Sequence, residues 1–223
     1  MCITILSTYY YQINNHIHMA YDTLATKESI KKTIASLGEH GFTAEVVSNK
    51  EDALSIIKNT IPRGASVMNG ASKTLDEIGY IEYLKSGAHG WINNHETILK
   101  ETDPVKQGLL RKYSVVSDYY LGSAHAASET GELVFGSNSG SQLPHLAFTS
   151  PNAILVVSTK KIVPTLEAGL ARLREYVYPL EDQRAKDIGW GGTMLSKILI
   201  LNRENPKMGR KVHVILVEEE LGF

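Results

Sequence analysis

The chain has 223 residues, 43% hydrophobic and 21% charged, a balance that excludes disorder, collagen and coiled coil. With 23 Lys and Arg against 24 Asp and Glu, the formal charge is −1, without the basic excess that phosphate-backbone binding needs, so nucleic acid is not expected as a partner. The single cysteine, Cys2, can form neither an internal disulfide nor a Cys-ligated metal site, which fits a reducing cytoplasm, and no apolar run reaches the roughly 18 residues of a membrane span.

Residues 1–18 carry Tyr9, Tyr10 and Tyr11 together and then Asn14, Asn15, His16 and His18, without the basic and apolar regions of a signal peptide. They are expected to be a poorly ordered extension of one α/β domain over residues 19–223. From Thr26, Ile30, Ile34 and Leu37 step at helical spacing, with Gly38 or Gly41 as a stop. Phe42 to Ser48 reads as a strand. Asn49 caps a helix through Lys58, and Pro62 with Gly64 turns the chain into a strand from Ala65 to Asn69. Leu75, Ile78 and Leu84 mark one further helix, and Asp103-Pro104 opens another in which Val105, Leu109, Tyr113 and Val116 repeat at helical spacing.

The second half begins with extended segments at Asp118 to Leu121 and Glu132 to Phe135, joined in an antiparallel or mixed arrangement through Ala124 to Gly131. Ala153 to Ser158 is apolar on both faces, as a buried parallel strand should be. Pro164 starts a helix with Leu166, Leu170, Leu173 and Val177 inward, and Lys197 to Asn202 and Val212 to Val217 supply late strands. Roughly six strands alternating with helices predict a three-layer α/β/α fold with a mostly parallel or mixed sheet and a small helical N-terminal part.

Three constellations could carry chemistry. Ser72, Lys73 and Thr74 follow the strand Ala65 to Asn69, at the place where open α/β sheets bind ligands, and could hold an anion at a helix N-terminus; equally, Thr74-x-x-Glu77 reads as a capping box. Glu129, beside the Thr130-Gly131 turn, is a candidate nucleophile or general base, with Gly136, Ser137, Asn138, Ser139 and Gly140 as backbone donors for an oxyanion; otherwise Glu129 is an exposed hairpin acid and the loop an ordinary one. Lys160 and Lys161 end the strand Ala153 to Ser158, ahead of Arg172 and Arg174, and either pair an anion or are solvated. His125, between alanines, is a proton carrier for Glu129 or a core residue. No histidine spacing suggests a metal site. Phosphate-loop, dinucleotide and Gly-x-Ser-x-Gly signatures are missing as well.

The stretches Ser72 to Gly79, Gly122 to Val134, Lys161 to Glu167 and Gly209 to Gly222, in order and spacing, resemble the LUD-domain, or YkgG-like, lactate-utilisation family over about residues 20 to 223. The resemblance implies a fold similar to ribose-5-phosphate isomerases and CoA transferases, and a link to L-lactate oxidation to pyruvate alongside iron–sulfur or other lactate-utilisation subunits. Many relatives place cysteines where Tyr178 to Lys197 has none, so no cluster role transfers to this chain. Glu129-Thr130-Gly131 looks like the glutamate motif with which CoA transferases form a thioester, with Thr as a departure.

The expected function is a ligand-binding, non-catalytic subunit taking a small anion, whether organic acid, CoA thioester or sugar phosphate, with no cofactor specified. The alternatives are an acyl-transfer or isomerase enzyme using Glu129 and His125, and an organic-acid sensor.

Overall fold

A computed structural model describes residues 21–223; the extension expected at residues 1–18 lies outside them. Helix α1 (Lys27–Glu39) starts where the Thr26 hydroxyl accepts from the Ser29 amide, and it buries Ile30, Thr33 and Leu37 on one stripe. After β1 (Thr43–Val47), Asn49 caps α2 (Lys50–Thr60) through the Asp52 amide. Strand β2 (Ser66–Asn69) leads into α3 (Lys73–Glu77) and α4 (Tyr80–Lys85), two short helices where the spacing predicts one, because the chain turns left-handed at Gly79.

Strand β3 (Ile92–Asn93) and helices α5 (Asn94–Lys100) and α6 (Pro104–Tyr113) complete the first half. Asp103 caps α6 onto the Val105 and Lys106 amides. The helix is where the sequence puts it, but its apolar stripe faces outward: Val105 is 74% exposed, Tyr113 71% and Val116 72%. Helix α6 packs on α5, and Gln107 bonds the carbonyls of Ile98 and Glu101. Periodicity records a stripe but not the surface that covers it.

The second half holds β4 (Tyr119–Gly122), β5 (Ala126–Ser128), β6 (Leu133–Ser137), β7 (Asn152–Ser158), β8 (Ile162–Val163), β9 (Lys197–Leu201) and β10 (Lys211–Val217). Thr165, one residue after the predicted Pro164 start, caps α7 (Leu166–Arg172). A wide turn, Leu173–Val177, then runs into α8 (Tyr178–Asp187). Six strands pair in the order β1-β10-β7-β4-β2-β3, all in parallel. Ile154 and Val156 of β7 pack with Ala53 and Ile57 of α2 and with Leu75, Tyr80 and Leu84; Leu155 and Val157 pack on the opposite side with Ile30 and Leu37 of α1. Helices on both faces of a parallel sheet make the expected α/β/α layering.

Part of the α1 face is covered by a second sheet, β8-β5-β6-β9, in which β6 is antiparallel to β5 and β9 and β8 is parallel to β5. Leu133 and Phe135 point at the main sheet, while Ala126 and Val134 pack against Leu173, Tyr176 and Val177. The strands expected from the sequence correspond to β1, β2, β4, β7 and β10 of the main sheet and to β6 and β9 of the second; β3, β5 and β8, of two or three residues each, are too short for a readable period. The chain passes from the main sheet to the second sheet twice, after β4 and after β7, and both passages lie at the carboxyl edge of the main sheet.

Candidate anion-binding site

Three adjacent parallel strands, β2, β4 and β7, end side by side, and the segments that follow them deliver Thr74, Ser123 and Lys161 to one point. Lys161 is 3% exposed; its Nζ donates to Thr74 Oγ1 at 2.8 Å and to Ser123 Oγ at 3.2 Å. Ser72 is the true cap of α3, its hydroxyl accepting from the Leu75 amide at 3.3 Å. The capping box expected from Thr74 and Glu77 is therefore not formed. Thr74 is buried one step into the helix, free to turn its hydroxyl to the lysine, and Glu77 accepts from the Gly222 amide at 2.6 Å and pairs with Lys73 at 3.5 Å.

Positive charge gathers around Lys161. Burial, then the neighbouring Arg172, Lys160 and Lys73, hold its amine well below the usual lysine range, while Glu77 opposes that shift. Arg172 is fully buried; it donates to the carbonyl of His125, to Phe223 O at 3.3 Å and to Tyr21 O at 3.5 Å, and its Nε has no hydrogen-bond partner. Burial brings its guanidinium down to about 10. Lys160, also buried, pairs with Asp22 at 2.8 Å. Solvation, the alternative open for these basic residues, holds only for Arg174.

His125 joins this cluster. Its Nδ1 accepts from the Gly136 amide at 3.0 Å, which assigns the ring proton to Nε2. Burial first, then Lys161 and Arg172, push it down to about 3, so the imidazole is neutral. Beyond β10 the chain folds over the same place. Ser158 donates to the Glu219 carbonyl, Leu221 is buried, and Lys73 lies 4.5 Å above the Phe223 ring. Gly222 has φ +63°, and a Cβ there would stand 2.3 Å from Thr74 Oγ1 and 2.8 Å from Lys161 Nζ, so only glycine fits. Sequence reasoning gave this closing segment no part in the site; its visible signal is a glycine behind three glutamates and a leucine.

Glu129 takes other partners. Its Oε1 accepts from Ser29 at 2.5 Å and its Oε2 from Lys32 at 3.0 Å, and Ser36 bonds its carbonyl at 2.8 Å, all from α1. The Ser29 hydrogen bond, then Lys32, hold its carboxyl below the ordinary range despite partial burial. The turn fits tightly on α1: a Cβ on Gly131, at φ +104°, would lie 2.8 Å from Ser36 O. Ser128 and Thr130 both donate to Glu132, an acid that sequence reasoning left unassigned. In the loop, only Gly136 touches the basic cluster. Ser137 accepts from the Gly140 amide, Ser139 pairs with Ser141, and Asn138 meets Ser196 and Lys197. The structure thus brings Ser72, Lys73, Thr74, His125, Gly136 and Lys161 to one edge of the sheet and ties Glu129 to α1.

The pattern of the LUD domain matches residues 30–217, most of the chain. The chain belongs to the LUD-domain family. That family is associated with lactate utilisation in general. No curated protein matches the sequence. Among solved structures, a DUF162 family protein from Deinococcus radiodurans is similar to this LUD domain with a TM-score of 0.53 at 15% identity, covering 87% of this chain and 99% of that one; this is a likeness of fold. Among the described residues of the LUD domain, no helix is long and apolar enough to cross a membrane, and no group of three or more His, Cys, Asp or Glu could hold a metal.

Proposed function

We propose that this LUD domain is a ligand-binding subunit of cytoplasmic lactate utilisation, in which the cluster of Lys161, Thr74 and Ser123 receives a small organic anion while redox chemistry proceeds on partner chains. One observation supports this above the others. Lys161 is a buried amine whose hydrogen-bond partners are two neutral hydroxyls, and buried Arg172 stands near it with backbone carbonyls as its hydrogen-bond partners, whereas Lys160 and Lys73 are paired with Asp22 and Glu77. A buried charge is costly unless it is paired, and a carboxylate or phosphate supplies the missing partner. Arg172 Nε is a second buried donor without a hydrogen-bond partner, its guanidinium lying 5.7 and 5.1 Å from the centres of the Tyr21 and Tyr176 rings. The position suits the role, since ligands of open α/β sheets bind beyond the carboxyl ends of strands.

The rival, an acyl-transfer enzyme with Glu129 as nucleophile, has less support, because that carboxylate is already held by Ser29 and Lys32. A thermal-shift screen of L-lactate, pyruvate, a CoA thioester, a sugar phosphate and inorganic phosphate tests the proposal, since a ligand of the native state raises the melting temperature. The expected result is a rise with an organic acid that Lys161→Ala abolishes. A chain indifferent to every one of these anions contradicts it.

A further inference from the structure

We infer that the outer edge of β9 is a self-association surface, on which a second copy of this chain pairs its own β9 antiparallel about a two-fold axis through Leu199. Strand β9 ends the second sheet, with β6 on one side and, among the described residues, no strand on the other. The ladder fixes which groups are left over. Residues of an antiparallel strand turn their backbone groups alternately to one neighbour and the other. In β6 the Val134 carbonyl accepts from the His125 amide and the Gly136 amide donates to the His125 ring, so Val134 and Gly136 face β5, while Leu133, Phe135 and Ser137 face β9. Their register partners Leu201, Leu199 and Lys197 therefore point inward, and Ile198 and Ile200 present N–H and C=O groups outward.

Such an edge is ordinarily blunted by a charge, a proline, a bulge or shortness. Strands β3 and β8 have two residues each and β1 carries exposed Glu45, whereas β9 reads Lys-Ile-Leu-Ile-Leu without a break, Ile198 and Ile200 each being 37% exposed. An axis through Leu199 sets Ile198 of each copy opposite Ile200 of the other, and each such pair exchanges both of its N–H···O bonds, so the outward groups between Lys197 and Leu201 are all used. The isoleucines of both copies meet on one face. An axis through Ile200 would instead set Lys197 against Arg203, and Ile198 against Asn202, whose carbonyl already meets His40 at 2.6 Å. Charge supports the same arrangement. At the head of β9 stands Lys197, hydrogen-bonded to the neutral Asn138 carbonyl at 3.1 Å. At its foot α1 ends beside Asn202 and Arg203, with the exposed Glu39 and the negative pole of the helix. Antiparallel pairing carries the lysine of each copy toward the acidic foot of the other, so a second copy satisfies both ends at once by symmetry.

Sedimentation velocity on the full chain over a concentration series tests the inference. The expected result is a mass that doubles as concentration rises, with slow exchange of the Ile198 and Ile200 amides in the dimer. Ile198→Pro removes an outward N–H and spares the ladder to β6, so it should leave the chain folded and monomeric. Ile200→Lys, which sets a charge opposite Ile198, should do the same and keeps the result decisive if the proline variant does not fold. With Cys2 replaced by serine, Leu199→Cys should oxidise to a covalently linked dimer and Ile198→Cys should not, because position 199 alone meets its own counterpart at the axis. A chain monomeric at every concentration overturns the inference. So does a dimer that survives both Ile198→Pro and Ile200→Lys, or one that Leu199→Cys fails to link.

Discussion

Lys161 Nζ reaches Thr74 Oγ1 at 2.8 Å, joining the turn after β7 to the first turn of α3 across the carboxyl edge of the main sheet. The bond is buried at both ends. Thr74→Val keeps the volume and removes the acceptor, so it is expected to destabilise the fold by about 1–3 kcal/mol, the usual cost of leaving a buried polar group unsatisfied. Urea midpoints measure this. Combined with Lys161→Met, the loss should be smaller than the sum of the single changes, because the group left stranded is then gone.

Gly222→Ala should be damaging, since Gly222 is buried against Thr74 and Lys161. The left-handed conformation alone disfavours alanine by roughly 1–2 kcal/mol, and its Cβ would displace Thr74 or Lys161. The expected outcome is a lower melting temperature together with faster amide exchange in α3. A melting temperature equal to that of the parent chain would show that the closing segment does not pack as described.

Acid should weaken the fold through His125. Its pKa falls from 6.5 unfolded to about 3 folded, so between these values the unfolded chain binds the extra proton and stability declines as pH falls. The slope from one such group is up to about 1.4 kcal/mol per pH unit. His125→Asn, which retains an acceptor for the Gly136 amide, should flatten the acid limb of melting temperature against pH between 6.5 and 4.5.

Anion affinity should respond to pH through Lys161. An organic carboxylate is held best by protonated Lys161, so lactate affinity should weaken as pH rises through the amine's lowered pKa, below the ordinary lysine range. Calorimetric titration of lactate across pH, with Lys161→Arg as a variant whose charge persists, reads this trend.

Two substitutions should do little. Glu129→Gln breaks a partly exposed pair with Lys32, so a loss of about 1 kcal/mol or less is expected, with unchanged affinity for organic anions. Leu109→Gln, on the outward stripe of α6, should stay within about 0.5 kcal/mol of the parent chain. Chemical denaturation checks both.

The alternation of helices with apolar strands was enough to read the parallel sheet, because Ala153 to Ser158 and Val212 to Val217 are buried on both faces and show it in composition. Strands such as β5 and β8 are only three and two residues long, too short for any period to register. At the site, Ser72, Thr74 and Lys161 were legible because each follows a strand. The sequence displays Arg172 but not its burial, since a charged residue on a helix ordinarily faces water. Glu129 was drawn toward the wrong neighbours for a similar reason: its turn looked chemically suggestive, while Ser29 and Lys32, which hold it, lie a hundred residues earlier on α1.

Ser123 to His125 and Thr159 to Lys161 are also the two bridges by which the backbone leaves the main sheet for the second one. A guest seated between them is clamped by both layers at once. Its arrival would stiffen the seam, restricting any shear of the smaller sheet over the larger one, and would be felt as far as β9 through the ladder it shares with β6.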